Sequence, residues 1–149
     1  MVVAIGADHG GYEYKEYIKS YFKDIEFIDV GAKRCDPEDD YTVFSFKVAE
    51  QVQNCKADKG IMICRTGVGA VIAMNKVKGI RAGVLETTKG VVLARKKNNI
   101  NCLSFGADNI DKTLAVKIVE LFLSTEFEGG RHQRRIDQIT QYEGKRNGK

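Results

Sequence analysis

Short apolar runs alternate with longer amphipathic stretches along the chain, and no other feature limits its possible folds as much. Five runs rich in Val and Ile have the length of buried strands, at residues 2–5, 25–30, 60–64, 80–85 and 101–105. The stretches that separate or follow them have helical length and period, at residues 12–22, 41–53, 68–76, 87–97 and 111–123. This alternation predicts an α/β fold with a parallel sheet and helices on both faces.

The length of 149 residues, 43% of them hydrophobic, predicts one domain over residues 1–149. Beyond a Gly-Gly pair, a last helix is predicted around residues 133–142. This helix has too few apolar positions to close a core of its own, so we expect it to lie across a partner subunit. The basic tail at residues 143–149 is expected to be mobile.

The formal charge of +4, from 24 basic and 20 acidic residues, suits a small anionic substrate. The basic C-terminal stretch lacks the interleaved aromatic residues of a nucleic-acid platform, since Tyr142 is the only one in it. No apolar run reaches membrane-spanning length. We therefore expect neither nucleic acid nor a membrane as a partner.

The four cysteines, at positions 35, 55, 64 and 102, form no C-x-x-C pair, so we expect no structural metal. Cys55 and Cys102 are interpreted as small buried hydrophobic residues. The chain opens on an apolar run without a cleavage signal, and these features together predict a cytoplasmic protein with reduced thiols.

Cys64 ends the third predicted strand and precedes the Gly-rich turn Thr66-Gly67-Val68-Gly69, which leads into a helix. Ligands of open α/β sheets bind beyond the carboxyl ends of the strands. Backbone N–H groups at such a turn favour a thiolate and suit an anionic oxygen of a phosphate or an enediolate. The alternatives at this point are a buried, inert cysteine and a tight turn without a ligand.

Asp8 and His9 follow the first predicted strand, where a carboxylate can hold sugar hydroxyls and an imidazole can donate to an oxygen. A helix cap and a solvent-facing histidine are the alternative interpretation. Two phosphate-binding motifs do not fit the turn after Cys64. A dinucleotide fingerprint requires glycine where this chain has Ile72, and a cysteine phosphatase loop requires arginine where it has Ala70.

Taken in order, several blocks resemble the ribose-5-phosphate isomerase type B family, which includes the subunits of galactose-6-phosphate isomerase. They are GADHGGYEYK at 6–15, DY at 40–41, ICRTGVG at 63–69, AMNK at 73–76, GIRA at 79–82, residues 98–106 and EGGRHQ at 128–133. The resemblance covers nearly the whole chain. It implies a Rossmann-like three-layer α/β/α sandwich that forms homodimers or dimers of dimers, with the C-terminal helix used in dimerisation.

The resemblance also implies a reaction that needs no cofactor and no metal. The residue matching Cys64 takes a proton from C2 of an open-chain sugar phosphate and returns it to C1, through a cis-enediolate. Thr66 would help to move the proton between the two oxygens, while the amides of Gly67, Val68 and Gly69 would stabilise the enediolate.

The implied contacts with the sugar and with its phosphate come from separate parts of the chain. Asp8, His9, Tyr41 and Asn98 would line the sugar. Arg131 and Arg135 lie four apart on the last predicted helix, so they share a face and would reach the phosphate, across the dimer interface.

Three positions depart from the family pattern. Arg65 stands where the family usually has glycine, and it would crowd the anion site or add charge to it. Asp108 stands near a position where a phosphate-contacting arginine is common, so phosphate binding would rest more heavily on Arg131 and Arg135. Lys97 replaces the ring-opening histidine, and a lysine that is protonated at neutral pH can donate a proton but not readily accept one.

We therefore expect ring opening to be slow or to use another group, such as His9. The leading hypothesis is an isomerase that interconverts ribose 5-phosphate and ribulose 5-phosphate. The alternatives are an isomerase of a six-carbon phosphosugar, such as allose or galactose 6-phosphate, and a non-catalytic subunit that binds a phosphosugar beside a related chain.

Overall fold

A single parallel sheet organises the part of the chain that the structure describes. The structure is a computed structural model, and it describes residues 1–147. The five strands are β1 (Val2–Ala7), β2 (Glu26–Asp29), β3 (Lys59–Cys64), β4 (Ala82–Val84) and β5 (Cys102–Gly106). They pair in the order β2-β1-β3-β5-β4, and every pairing is parallel.

Helices cover both faces of this sheet. They are α1 (Tyr12–Tyr21), α2 (Tyr41–Gln53), α3 (Val68–Met74), α4 (Thr88–Asn98), α5 (Lys112–Ser124) and α6 (Arg131–Asn147). The apolar side chains of α1, α4 and α5 pack in one core cluster, while those of α2 and α3 pack in a second cluster on the opposite face. The predicted fold class is confirmed. None of the helices within residues 1–147 has the length and apolar character needed to cross a membrane.

Local sequence signals fix where several helices begin. Thr87 accepts a hydrogen bond from the Gly90 N–H at the start of α4, and Asp111 accepts one from the Leu114 N–H at the start of α5. These caps satisfy backbone donors that have no partner inside the helix. The central strands β1, β3 and β5 are short and almost fully buried because helices cover both faces of the sheet, whereas the edge strands β2 and β4 are partly exposed.

The last helix and the fourth strand differ most from the predicted bounds. Helix α6 begins at Arg131 and continues to Asn147, so it includes most of the tail that was expected to be mobile, and residues 148 and 149 lie outside the described part. Strand β4 is only three residues long. The preceding Arg81 leaves the strand pattern because its N–H donates to the side chain of Asn101.

Candidate active site

A pocket of about 290 Å³ opens at the carboxyl ends of β1 and β3, where the strand order of the sheet changes direction. It is lined by Asp8, His9, Asp39, Asp40, Tyr41, Cys64, Arg65, Thr66 and Gly69. We refer to it as the Cys64 pocket. All of these residues except Asp39 and Asp40 are predicted site residues, so the fold brings together three segments that lie far apart in sequence: residues 8–9, Tyr41 and residues 64–69.

Cys64 is the last residue of β3, and it is 4% exposed. The N–H of Gly67 donates to its Sγ over 3.1 Å, and such a contact stabilises negative charge on sulfur. Gly67 has a φ of +82°, and a Cβ there would approach the backbone of Phe105 to 3.0 Å. The turn therefore requires glycine in order to bring this N–H to the thiol. Beside it, Thr66 Oγ1 accepts a hydrogen bond from the Val68 N–H over 3.4 Å.

The other cysteines lack this environment. Cys102 is fully buried in β5, and burial raises the pKa of its thiol to about 12, so it is inert at neutral pH. The interpretation of Cys55 as a buried residue is wrong: its side chain is exposed just beyond the end of α2. Cys35 is also exposed.

His9 forms a close pair with Asp39. Its Nδ1 lies 2.8 Å from Asp39 Oδ1, and the same oxygen accepts the His9 backbone N–H over 3.0 Å. The hydrogen bond to Asp39 raises the pKa of His9, and the negative charge of Asp8 acts in the same direction. Burial raises the pKa of Asp8, whose Oδ1 accepts the N–H of Gly11 near the start of α1.

Asp8, His9 and Asp39 are also the one group of side chains in the described residues whose arrangement could hold a metal ion. One potential ligand atom from each lies within 4.8 Å of the others. However, the imidazole nitrogen and the carboxylate oxygen of the His9–Asp39 pair are already bonded to each other. The group is therefore better described as a polarised imidazole beside a carboxylate than as a ligand set.

Arg65 and Asp108, two of the departures from the family pattern, form an ion pair with each other. Arg65 Nε donates to Asp108 Oδ2 over 3.0 Å. This contact holds the guanidinium at the rim of the Cys64 pocket, which Arg65 also lines. The same ion pair gives the Asp108 carboxylate a positively charged partner, the Arg65 guanidinium. The sequence alone does not show that the two positions meet.

Gly67 and Val68 line neither this pocket nor the next, but four other predicted site residues line a second and larger cavity. Lys97, Asn98, Arg131 and Arg135 contribute to a cavity of about 750 Å³ between α6 and the β4 edge of the sheet. We refer to it as the α6 pocket. None of these four residues lines the Cys64 pocket within the same chain. The fold thus divides the predicted site into a part with the thiol and a part with the basic groups.

Asp39 is the functional candidate that sequence reasoning missed. It lies in the polar loop before α2, where neither helical nor strand periodicity marks any position. Only the fold shows that the loop returns to β1 and brings this carboxylate to His9. The neighbouring Asp40 was recognised as part of the Asp-Tyr block that precedes α2, but it was not assigned to the site.

Comparison with known proteins decides the family. The family model described as Ribose/Galactose Isomerase matches residues 3–139. The chain belongs to this family. Ribose-5-phosphate isomerase B of Escherichia coli (strain K12) is 40% identical in sequence, over 97% of this chain and 98% of that protein.

Two solved structures from the ribose/galactose isomerase family extend the comparison. Ribose-5-phosphate isomerase B from Clostridium thermocellum covers 97% of this chain and 99% of its own, with 41% identity and a TM-score of 0.94. The Mycoplasma genitalium enzyme, solved with bound ribulose 5-phosphate, covers 95% of each chain, with 42% identity and a TM-score of 0.91. The resemblance inferred from the sequence blocks is confirmed, and the chain is an isomerase.

Proposed function

We propose that this chain interconverts ribose 5-phosphate and ribulose 5-phosphate, with Cys64 as the base. The observation that carries the proposal is the thiol of Cys64, buried in a pocket with an N–H donor on its sulfur and an imidazole and a hydroxyl nearby. Relatives that cover almost the whole chain carry the name ribose-5-phosphate isomerase B, and one of them was solved with the ketose product.

The proposed reaction is a proton transfer in two halves. The Cys64 thiolate removes the proton from C2 of the open-chain aldose, the electron pair forms a C1–C2 double bond, and the carbonyl electrons move to O1, which gives a cis-enediolate. A proton then passes from O2 to O1. As the C2–O2 carbonyl forms, C1 takes the proton back from the Cys64 thiol, which gives the ketose and restores the thiolate. We assign the transfer between the oxygens to Thr66, and stabilisation of the enediolate to the amides of Gly67, Val68 and Gly69.

We assign ring opening to His9 rather than to Lys97. His9 lines the pocket that contains the thiol, and Asp39 orients its imidazole through Nδ1, so Nε2 is the nitrogen that can exchange a proton with the ring oxygen. Lys97 lines the α6 pocket instead. Asp8 and Tyr41 would hold the sugar hydroxyls.

We propose that the complete site contains residues from two chains of a homodimer, with Lys97, Asn98, Arg131 and Arg135 of one copy facing the Cys64 pocket of the other. The Cys64 pocket is small for a pentose phosphate and is lined by three carboxylates, so the phosphate needs further cations. Exposed apolar residues support an interface beside both pockets: Val68 and Ile72 on α3, and Ile139 and Tyr142 on α6, are 52%, 59%, 58% and 67% exposed.

We further propose one isomerase domain over residues 1–149 and a cytoplasmic location. The four cysteines are unpaired in the structure, as expected in a reducing compartment. The proposed chemistry uses only acid–base groups of the protein, so activity should not depend on an added cofactor or metal.

The test is the conversion of ribose 5-phosphate to ribulose 5-phosphate by the purified protein in the presence of a chelator. We expect Cys64→Ala to lower kcat by at least about a thousandfold, because no other group in the pocket is placed as the carbon base. Cys35→Ala is the control, since it removes an exposed thiol outside the pocket and should retain activity.

Two results would change the proposal. Turnover of allose 6-phosphate or galactose 6-phosphate, but not of the pentose, would assign the site to a six-carbon substrate. No turnover of any of these sugars, together with measurable binding of ribulose 5-phosphate, would indicate a non-catalytic subunit.

A further inference from the structure

The ion pair between Arg65 and Asp108 lies at the rim of the Cys64 pocket. The two side chains are 66% and 50% exposed, and an exposed pair of this kind adds little to stability. The aliphatic part of Arg65 lies against Gly10, where a Cβ would collide with the Arg65 Cγ. The ion pair between Arg65 and Asp108 therefore sets the direction of the guanidinium more than it stabilises the fold.

The backbone around Asp108 is fixed relative to Cys64. The Ala107 N–H donates to the Cys64 carbonyl over 2.9 Å, and the Asp108 N–H donates to the Arg65 carbonyl over 3.1 Å. On the other side of this loop, Glu86 accepts the Gly106 N–H over 3.3 Å. A carboxylate held in this way places the guanidinium that it binds at a defined position at the rim of the Cys64 pocket.

Arg65 is the one arginine or lysine among the described residues that line the Cys64 pocket, whereas Asp8, Asp39 and Asp40 supply carboxylates. The Nε of Arg65 donates to Asp108. The two terminal amino groups of Arg65 have no hydrogen-bond partner within residues 1–147. The Asp39 hydrogen bond raises the pKa of His9, and Arg65 acts in the opposite direction, so the guanidinium is within electrostatic range of the imidazole.

We propose that Arg65 binds the phosphate of the substrate through its terminal amino groups and that Asp108 is the positioning residue that holds it there. The inference rests on the proposed function and adds to it a cation from the same chain as the thiol. The two terminal amino groups of a guanidinium present parallel N–H groups that match two oxygens of a phosphate. Because the Asp108 carboxylate binds Nε, the edge of Arg65 with the two terminal amino groups stays available.

The experiment compares wild type with Arg65→Ala, Asp108→Ala and the double variant. It measures kcat and KM for ribose 5-phosphate, and it titrates inorganic phosphate both as a competitive inhibitor and by calorimetry. We expect Arg65→Ala to raise KM and the inhibition constant of phosphate by about tenfold, with a change in kcat below about threefold.

As a single change, Asp108→Ala should raise KM and the inhibition constant of phosphate by about threefold. Added to Arg65→Ala, it should have no further effect, because Asp108 acts only through Arg65. Arg65→Lys should restore part of the phosphate affinity, since it keeps the charge but not the paired N–H groups. Lys117→Ala is the matched control, because it removes another exposed ion pair, on α5, and should change nothing.

The inference is overturned if Arg65→Ala leaves KM and phosphate inhibition within about twofold of wild type. An additional loss from Asp108→Ala when Arg65 is already absent would show that Asp108 has a structural role instead. If wild type binds inorganic phosphate in an Arg65-dependent way but does not isomerise ribose 5-phosphate, the role of Arg65 in phosphate binding is supported and the proposed substrate is wrong. If wild type neither turns over the sugar nor binds phosphate, both proposals fall.

Discussion

The imidazole of His9 owes its properties to one neighbour. Asp39 accepts hydrogen bonds from both the ring and the backbone of His9, which fixes the tautomer and the ring direction together. The second oxygen of Asp39 is buried and has no partner among the described residues, so His9 is the main partner of this carboxylate. A pair of this kind keeps a proton on the imidazole to a higher pH than an isolated histidine would.

Replacement of Asp39 by Asn should therefore change the pH dependence of the reaction on cyclic substrate. The carboxylate raises the pKa of His9, so its loss lowers that pKa. If protonated His9 donates to the ring oxygen, activity falls as pH rises through the pKa, and in Asp39→Asn this fall should occur at lower pH. The measurement is kcat across neutral pH for the two proteins.

Glu38→Gln is the control for that experiment, because Glu38 is an exposed acid on the same loop and does not line the pocket. Its pH profile should match that of wild type. If the profile of Asp39→Asn also matched wild type, His9 would not be the group that opens the ring.

Single residues also show where sequence interpretation stops. Cys64 and Thr66 could be placed in a site because a strand end and a Gly-rich turn are visible in the sequence. The positions of Arg65 and Asp108 could be identified as unusual, but their contact depends on two loops that meet only in the folded chain. Asp39 was missed for the same reason, since a polar loop has no periodic signal.

Among the secondary-structure elements, α1 and β2 are joined by a buried charge cluster. Lys15 is 1% exposed and donates to Asp29 Oδ2 over 2.7 Å, and Lys19 donates to the same oxygen over 2.7 Å. Burial alone would raise the pKa of Asp29, but the hydrogen bonds from Lys15 and Lys19 outweigh it and hold the pKa at about 2. The cluster thus fixes α1, which follows the Asp8–His9 segment, to the edge of the sheet.

Asp29→Asn should lower the free energy of unfolding at neutral pH by about 2 to 4 kcal/mol, because the buried Lys15 ammonium would lose the carboxylate that accepts its 2.7 Å hydrogen bond and would keep only Glu16, at 3.5 Å, as an acidic partner. The pKa of Asp29 is depressed in the folded state, so its stabilisation is complete above the ordinary value of 3.8 and is lost as pH falls toward 2. This loss amounts to roughly 2 kcal/mol in wild type and should be absent in the variant. Urea unfolding from neutral pH down to about pH 2 measures both effects.

Glu120→Gln is a suitable control, since Glu120 belongs to an exposed pair on α5 with a separation of 3.8 Å. Its free energy of unfolding should stay within about 0.5 kcal/mol of wild type. Equal acid sensitivity of wild type and Asp29→Asn would show that the cluster does not control stability at low pH.

Element boundaries were predictable where apolar periodicity and end signals coincide. Helix α2 spans Tyr41–Gln53 as predicted, because an extended Asp40 precedes it and buried positions recur along one face. The end of α6 was not predictable, since its exposed polar positions look like a solvated tail. Tertiary contacts that the sequence does not show help to hold it, such as the hydrogen bond from the Gly79 N–H to Glu143 over 3.0 Å.

At the scale of the whole molecule, the main feature is the separation of the thiol from most of the basic groups. The Cys64 pocket and the α6 pocket are distinct, and apolar side chains on α3 and α6 remain exposed. The sequence predicted site residues in both pockets, but spacing along the chain cannot show that one chain alone leaves the two groups apart. In the homodimer proposed above, each Cys64 pocket would face the partner's basic groups and the exposed apolar residues would be covered.

Heterodimers between two differently impaired chains test this arrangement. One chain carries Cys64→Ala and the other carries Arg131→Ala with Arg135→Ala, and the two chains bear different tags so that mixed dimers can be purified. If each site combines the thiol of one chain with the arginines of its partner, every mixed dimer contains one intact site and should show about half of wild-type activity below KM. Each impaired homodimer should show only its own low activity. If the thiol and the arginines of a site came from the same chain, both sites of the mixed dimer would be defective, and its activity would remain at the level of the impaired homodimers.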